Sequence, residues 1–223
     1  MGRRIHIGIE MPANNEAMVR KTDALLKRVL EVSPAFRHLQ GICKGAVGVA
    51  LGSGPSAYDE RVPHDVLFAA NAAWQYIGPS TAISIGCTFD GAFSIYNGSD
   101  PCSYYALSIK ALEHDHPPHE RVIHCPNEMP IRGVGAQPWM VWLARLLGIK
   151  KLHLYGCDSA FGSIESLYTG RFALGTRRNY LKHPIRAAAI SQGMPLYWHA
   201  AGKTMTKKSI EPMAIRYNRK WEG

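Results

Sequence analysis

Gly45-Ala-Val-Gly-Val-Ala-Leu51 runs directly into Gly52-Ser-Gly-Pro-Ser56, and this stretch decides the fold. An unbroken run of small and branched apolar residues, of strand length and apolar on both faces, fits a central strand of a parallel sheet. The glycine-proline turn then falls at the strand's carboxyl end, the edge where open α/β sheets take ligands. Outward from it, Val66-Leu-Phe-Ala-Ala70 and Ala82-Ile-Ser-Ile-Gly86 read as further strands, with Asn71 to Tyr76 between them as a short helix or turn. Gln137 to Leu147 predicts a helix with Trp139, Val141, Trp142, Leu146 and Leu147 along it, stopped by Gly148, and Lys151 to Tyr155 a strand ending at Gly156-Cys-Asp158. Toward the start of the chain, Ile5 to Ile9 alternates as a strand, and Asn14 or Asn15 caps a helix carrying Met18, Thr22, Leu25, Leu26 and Val29. Toward the other end, Asn97 to Pro130 is rich in Pro, His, Asn and Ser and yields one short strand, Val122 to Cys125. Ile185 to Gln192 and Leu196 to His199 read as the last helix and strand. Strands alternating with helices predict a Rossmann-like α/β fold, a mainly parallel sheet with helices on both faces. With no long repeat and no low-complexity linker, residues 1–223 are expected to form a single nucleotide-binding domain.

Composition removes several classes. With 46% hydrophobic, 9% aromatic and 19% charged residues, the 223-residue chain can bury a core without a disulfide or metal framework, which excludes disordered, collagen-like and mini-protein classes. Its longest apolar runs, Gly45 to Leu51 and Trp139 to Leu147, fall short of the roughly 20 residues that cross a bilayer as a helix. No secretory signal is visible before Ile5, and five cysteines without a C-x-x-C pair read as reduced thiols of a cytoplasmic protein. The formal net charge of +9 is uneven: residues 1–170 hold 15 basic and 15 acidic side chains, residues 171–223 hold 11 and 2. Arg171, Arg177, Arg178, Lys182 and Arg186 form one cluster; Lys203, Lys207, Lys208, Arg216, Arg219 and Lys220 form another, in the basic segment 203–223. Such a segment is either a solvated face or a surface for an acidic partner, a ligand phosphate or a nucleic-acid backbone.

Four features carry chemistry. Exposed amides in Gly52-Ser53-Gly54-Pro55-Ser56 can bind phosphate or carboxylate, although the third glycine of a dinucleotide fingerprint and the Gly-Lys-Ser/Thr of a phosphate loop are missing, and a merely tight turn is the alternative. Asn71 can read a base or ribose, or cap the next helix. Asp158 can hold ribose, a metal or an acceptor hydroxyl, or act as a cap. His183, in Tyr180-Leu-Lys-His183-Pro, lies among cations that disfavour its imidazolium, which suits a general base; a structural histidine is the alternative. His114-Asp-His116-Pro-Pro-His119, with His124 and Cys125, is rich in ligand types but fits no zinc spacing and reads as a polar loop. Ser84, Ser163 and the cysteines lack a nucleophile motif, and Trp139 and Trp142 read as core.

In order and spacing, Gly52-Ser-Gly-Pro-Ser, Asp65-Val-Leu-Phe-Ala-Ala-Asn71, Gly133-Val-Gly135 before a helix, Leu147-Gly-Ile-Lys-Lys-Leu-His-Leu-Tyr-Gly-Cys-Asp158 and the late His183 resemble one superfamily over residues 45–200. It holds the single-domain bacterial sialyltransferases that use CMP-sialic acid and the 6-hydroxymethylpterin pyrophosphokinase-like proteins. The first resemblance implies that Gly52, Ser53, Gly54 and Asn71 bind the nucleotide, with Pro55, Ser56, Gly133 and Gly135 beside them, that His183 is the base, and that Tyr168 or Tyr180 assists the leaving phosphate. The segment after Asp158 is shorter than in those enzymes, which bears on the acceptor side. The second implies ATP and magnesium, with Asp90 of Cys87-Thr-Phe-Asp90 and Asp158 as ligands. Few acids near these motifs and many cations near the C-terminus favour metal-independent transfer from a nucleotide-sugar donor, with Tyr180, Arg177 and Arg178 stabilising the departing phosphate. The competing expectations are the magnesium-dependent pyrophosphokinase, a nucleic-acid-associated protein that binds through Lys203 to Lys220, and a nucleotide sensor without turnover.

Overall fold

The computed structural model describes residues 23–24, 26–28, 30–78, 82–88, 101–113, 116–125, 136–161, 165–166, 170–171, 177–210 and 212, with side chains at 109–110, 165–166, 170–171 and 177–181 left aside. In chain order the main elements are α1 (Pro34–Cys43), β1 (Val47–Leu51), β2 (Val66–Ala70), β3 (Ile83–Thr88), β4 (Tyr104–Ser108), the one-turn α2 (Ile109–Leu112), β5 (Val122–Cys125), α3 (Ala136–Leu146), β6 (Lys151–Tyr155), a two-residue ribbon of β7 (Glu165–Ser166) and β8 (Gly170–Arg171), α4 (Arg177–Ile190), β9 (Leu196–Ala200) and β10 (Lys203–Thr206). Eight strands form one sheet in the order β10-β9-β6-β1-β2-β3-β4-β5; every pairing is parallel except β10 with β9. The Gly45–Leu51 run is therefore a central strand, as its double-sided apolarity requires. From β1 the chain steps outward through β5, then returns to the other side of β1 as β6. The reversal puts the topological switch point of this Rossmann-like sheet at the carboxyl ends of β1 and β6, the edge where such sheets take ligands.

Side-chain parity divides the sheet's two faces. Ala50, Phe68, Ile85, Ala106, Leu154 and Trp198 face the principal core with residues of α1, α3 and α4, whereas Val49, Leu51, Leu67, Ala69 and Tyr155 face the other way. The three longer helices thus share one face, and among the described residues the opposite face carries short pieces, the 3-10 helix Asn71–Tyr76 and the α2 turn. Helix α3 is buried around its whole circumference from Gln137 to Ala144, as a helix apolar on all sides must be. Burying Trp139 and Trp142 there contributes on the order of 4 kcal/mol each. Trp142 Nε1 donates to Asp23 Oδ1 at 2.8 Å and Arg145 Nη1 to Asp23 Oδ2 at 2.8 Å, which fastens the helical residues around Leu26 and Leu30 to α3. The helix stops at Gly148, whose φ of +80° admits the closing bond from Ile149 N–H to the Ala144 carbonyl.

Several elements differ from the sequence reading, which gave no helix at α1. The last helix begins at Arg177, not Ile185, and runs through Pro184. A proline inside a helix removes one N–H bond and costs about 3 kcal/mol; burial of Pro184, Ile185, Ala187 and Ile190 outweighs it. Strand β4 was hidden by the polar composition of the Asn97–Pro130 segment. Strand β10 lies within what reads as a basic tail. The Ile5–Ile9 strand and the positions Met18, Thr22, Leu25 and Val29 fall outside the described residues. Among the described residues no helix is long and apolar enough to cross a membrane. All five cysteines are free and buried, and burial pushes their thiols up, Cys43 to about 11 and Cys102 to about 12.

Candidate functional site

Two turns meet at the switch point. Gly52 N–H donates to the Tyr155 carbonyl and Gly54 N–H to the Gly156 carbonyl, each at 2.8 Å, so the β1 turn is laced to the β6 turn. Ser56, buried at the start of the 3-10 turn Pro55–Tyr58, links them again: its hydroxyl donates to Asp158 Oδ2 at 2.9 Å and accepts from Gly156 N–H at 2.7 Å, and its own N–H reaches both carboxylate oxygens at 3.3 Å. Burial raises the Asp158 carboxyl above the usual range while these bonds from Ser56 pull it back. The glycines are required by this contact. A Cβ on Gly52 would stand 2.3 Å from the Gly156 carbonyl oxygen, and one on Gly54 2.0 Å from Asp158 Oδ2. The space that the sequence reading assigned to an approaching ligand is filled here by the chain itself, and an intramolecular carboxylate holds the anion position at Ser56. Ser56→Ala would leave the Gly156 N–H and the Asp158 carboxylate without a buried partner, at about 2 kcal/mol. Chemical denaturation should show that loss, and a variant as stable as the parent would mean the bonds add nothing.

Beside this lock, Ala70 and Cys87 end the β2–β3 register, so Asn71 and Thr88 follow on neighbouring strands. Asn71 does not cap its 3-10 helix: it is the first helical residue, at φ +49°, and Ala70 is the cap position without a side-chain bond. A left-handed non-glycine residue at a ligand edge holds backbone strain that asparagine tolerates. Thr88 is fully buried and its hydroxyl has no hydrogen-bond partner. Exposed Tyr58 packs edge-on against Tyr76, ring centroids 5.0 Å apart, where the two 3-10 segments meet.

Helix α4 packs on the 3-10 turn Asp158–Phe161 and runs antiparallel to the strands, which brings its first turns to the same edge. His183 lies there with Nδ1 buried and unpartnered. Burial, then Lys182 and Arg186, push its imidazole down to about 4, so it is neutral at physiological pH. Arg177, Arg178 and Tyr180 occupy the first turn of the helix; their side chains lie outside the described residues, as do Tyr168, Asp90, Gly133 and Gly135 altogether. The structure therefore brings Gly52–Ser56, Asn71, Asp158 and the His183 helix to one edge. In the basic segment Lys203 and Lys208 are exposed, Lys207 donates to the Gln192 carbonyl, and Arg216, Arg219 and Lys220 lie outside the described residues.

Magnesium finds a poor donor set among the described residues. Asp158 is committed to Ser56, and no group of three or more His, Cys, Asp or Glu converges. Nε2 of His119 lies 3.2 Å from Nε2 of His124 on the surface, a pair without a third ligand among the described residues. The sequence reading passed over the pair of His153 and His199 on the opposite sheet face, Nδ1 of the first 2.9 Å from Nε2 of the second; its signal was the period-two placement of His153 and Tyr155 in β6 and of Tyr197 and His199 in β9. Compared with family models, curated proteins and solved structures, the chain matches none.

Proposed function

We propose that the edge at the carboxyl ends of β1, β2 and β6 binds a nucleotide, and that the protein is a transferase using a nucleotide-sugar donor with His183 as base. The observation that carries this reading is the meeting of the Gly52–Ser56 and Gly156–Asp158 turns at the switch point, beside a helix whose histidine is neutral among cations. The locked turns form the floor, Asn71 offers an amide for base or ribose, and α4, whose sequence begins with two arginines, supplies positive charge for the donor's phosphate. His183 Nδ1, which has no protein partner, takes the proton of an acceptor hydroxyl. The acceptor oxygen then bonds to the anomeric carbon, the bond from that carbon to the phosphate oxygen breaks, and the nucleotide leaves as an anion. Phosphate arriving beside Lys182 and Arg186 offsets their charge and raises the histidine's affinity for that proton. The magnesium-dependent pyrophosphokinase is the weaker reading, because Asp158 is turned into the fold.

Thermal melting with CMP, CDP, UDP, GDP, ATP and AMP, each with and without magnesium, tests the reading. A ligand at about 100 times its Kd adds about 2.7 kcal/mol, which raises Tm by roughly 5–10 °C in a chain of this size. A cytidine or uridine nucleotide should give that rise without metal. A rise with ATP only when magnesium is present would transfer the assignment to pyrophosphoryl transfer, and no rise with any nucleotide would refute nucleotide binding.

A further inference from the structure

Among the described residues three large apolar side chains stand out in solvent, Val32, Ile42 and Tyr58. Val32 precedes the Ser33 cap of α1 and Ile42 lies in its last turn, and α1 packs against β5 at the far edge of the sheet. Tyr58, 71% exposed, lies elsewhere: it ends the 3-10 turn Pro55–Tyr58, two residues after the Ser56 that binds Asp158, where β1 reaches its carboxyl end. This exposed ring is not on a loose segment. Arg61 Nη1 donates to the Ile77 carbonyl at 2.6 Å, and Nη2 donates to the Ala57 carbonyl at 3.3 Å and to the Tyr76 carbonyl. One guanidinium thus ties the residue before Tyr58 to Tyr76 and its neighbour. The two rings meet edge-on, with centroids 5.0 Å apart and an interplanar angle of 67°. Arg61 is drawn partly out of water for these bonds, with Nε buried and unpaired, a cost the fold bears while the ring it fixes stays in solvent. An aromatic ring held in one orientation offers its face to a flat ligand with little ordering left to do on binding.

The surrounding charge selects which part of a nucleotide fits there. Asp59 and Glu60 follow Tyr58, so this end of the edge disfavours phosphate and suits an uncharged planar group. Lys182 and Arg186, which suit phosphate, lie on α4, whose Ile185 and Ile190 pack on the other face of the sheet. Asn71 opens the 3-10 helix that Tyr76 closes, and at roughly 2 Å per residue its two ends are about 10 Å apart, a separation that one nucleotide spans. A base at Tyr58 therefore leaves the ribose to Asn71.

We infer that the ring face of Tyr58 is the platform on which the base of the bound nucleotide stacks, with Tyr76 bracing it from the side; the inference rests on the nucleotide reading of this edge given above. Stacking accepts any base, so Tyr58 supplies affinity rather than choice of base.

Calorimetric titration of the full chain with CMP, UDP and ribose 5-phosphate, without metal, tests this. Tyr58→Ala should weaken CMP and UDP binding roughly 10- to 100-fold, the contribution of one aromatic–base stack, and leave ribose 5-phosphate unchanged. Tyr58→Phe and Tyr58→Trp keep the ring and should bind both nucleotides within about threefold of the parent. Val32→Ala, beside α1, should match the parent throughout. Equal affinity in Tyr58→Ala, a loss in Tyr58→Phe as large as in Tyr58→Ala, or an equal loss for ribose 5-phosphate would overturn the platform while nucleotide binding stood. Binding of neither nucleotide by the parent would refute the nucleotide-sugar reading, and the platform with it. If Tyr58→Ala fails to fold, the added indole of Tyr58→Trp decides instead: CMP and UDP should quench its emission beyond any change in the parent, and an emission that saturating CMP and UDP leave unaltered rejects the stack.

Discussion

Gly52→Ala should lower Tm by roughly 6–12 °C. The new Cβ would lie 2.3 Å from the Gly156 carbonyl oxygen and 2.9 Å from its carbon, both backbone atoms that are themselves bonded to the β1 turn. No rotamer change relieves such a contact, so β1 and β6 must part at their carboxyl ends, an overpacking cost of about 3 kcal/mol; in a chain of this length each kcal/mol moves Tm by about 2–4 °C. Gly54→Ala meets a different obstacle, the Asp158 carboxylate at 2.0 Å, which can swing away by giving up its bonds to Ser56. Its cost should therefore fall partly within that of Asp158→Ala, and the double variant should be less destabilised than the sum of the two single ones. Gly193→Ala, with nothing within 4 Å of its added methyl, is the control and should stay within about 0.5 kcal/mol. Melting curves for these variants check the lock independently of any ligand. If Gly52→Ala melts with the parent, the two turns are not in contact.

Removal of the imidazole at His183 should cut kcat by a factor of roughly 100 to 10,000 on a nucleotide-sugar donor, the usual contribution of a positioned general base. Donor binding should change less than kcat, because in the proposed reaction His183 acts on the acceptor hydroxyl rather than on the donor. The pH dependence separates a base from a residue that only packs. Burial together with Lys182 and Arg186 holds the free imidazole down to about 4, so it accepts protons only well below neutrality. The parent's kcat/KM should therefore stay level from neutral pH down to about 5 and decline below that as His183 protonates. With the phosphate bound, the acid limb of kcat should move to higher pH, since an anion beside the ring favours imidazolium. Glutamine at 183 should abolish the limb along with the rate. Full turnover in His183→Ala would end the assignment of this residue, and an acid limb unchanged in the variant would place the titrating group elsewhere.

The parallel core and its turn were legible in the sequence because both are local. Val47–Leu51 and Val66–Ala70 are apolar on consecutive residues, which only a strand covered on both faces tolerates, and Gly52-Ser-Gly-Pro-Ser can only end such a strand. Strand β4 and the Arg177–Pro184 half of helix α4 were not legible, for a common reason. Tyr104–Ser108 sits among Pro, Ser and Asn, and α4 contains Pro184, so local propensity argues against both, and they form because Tyr105, Leu107, Ile185 and Ile190 gain burial in contacts distant in sequence. The period-two histidines of β6 and β9 were visible as letters, yet nothing local says that the two strands are neighbours.

The sequence by itself determined the fold class, the central strand and the placement of Gly52–Ser56, Asn71 and Asp158 at strand ends, because periodicity and turn chemistry act over a few residues. Only the tertiary structure decided what these residues touch. That Asp158 serves Ser56, and that Gly52 and Gly156 need their missing side chains for each other, depend on β6 returning to the far side of β1 across about a hundred residues of chain. Pairing at that separation is selected by burial summed over the whole sheet, which no short stretch of sequence encodes.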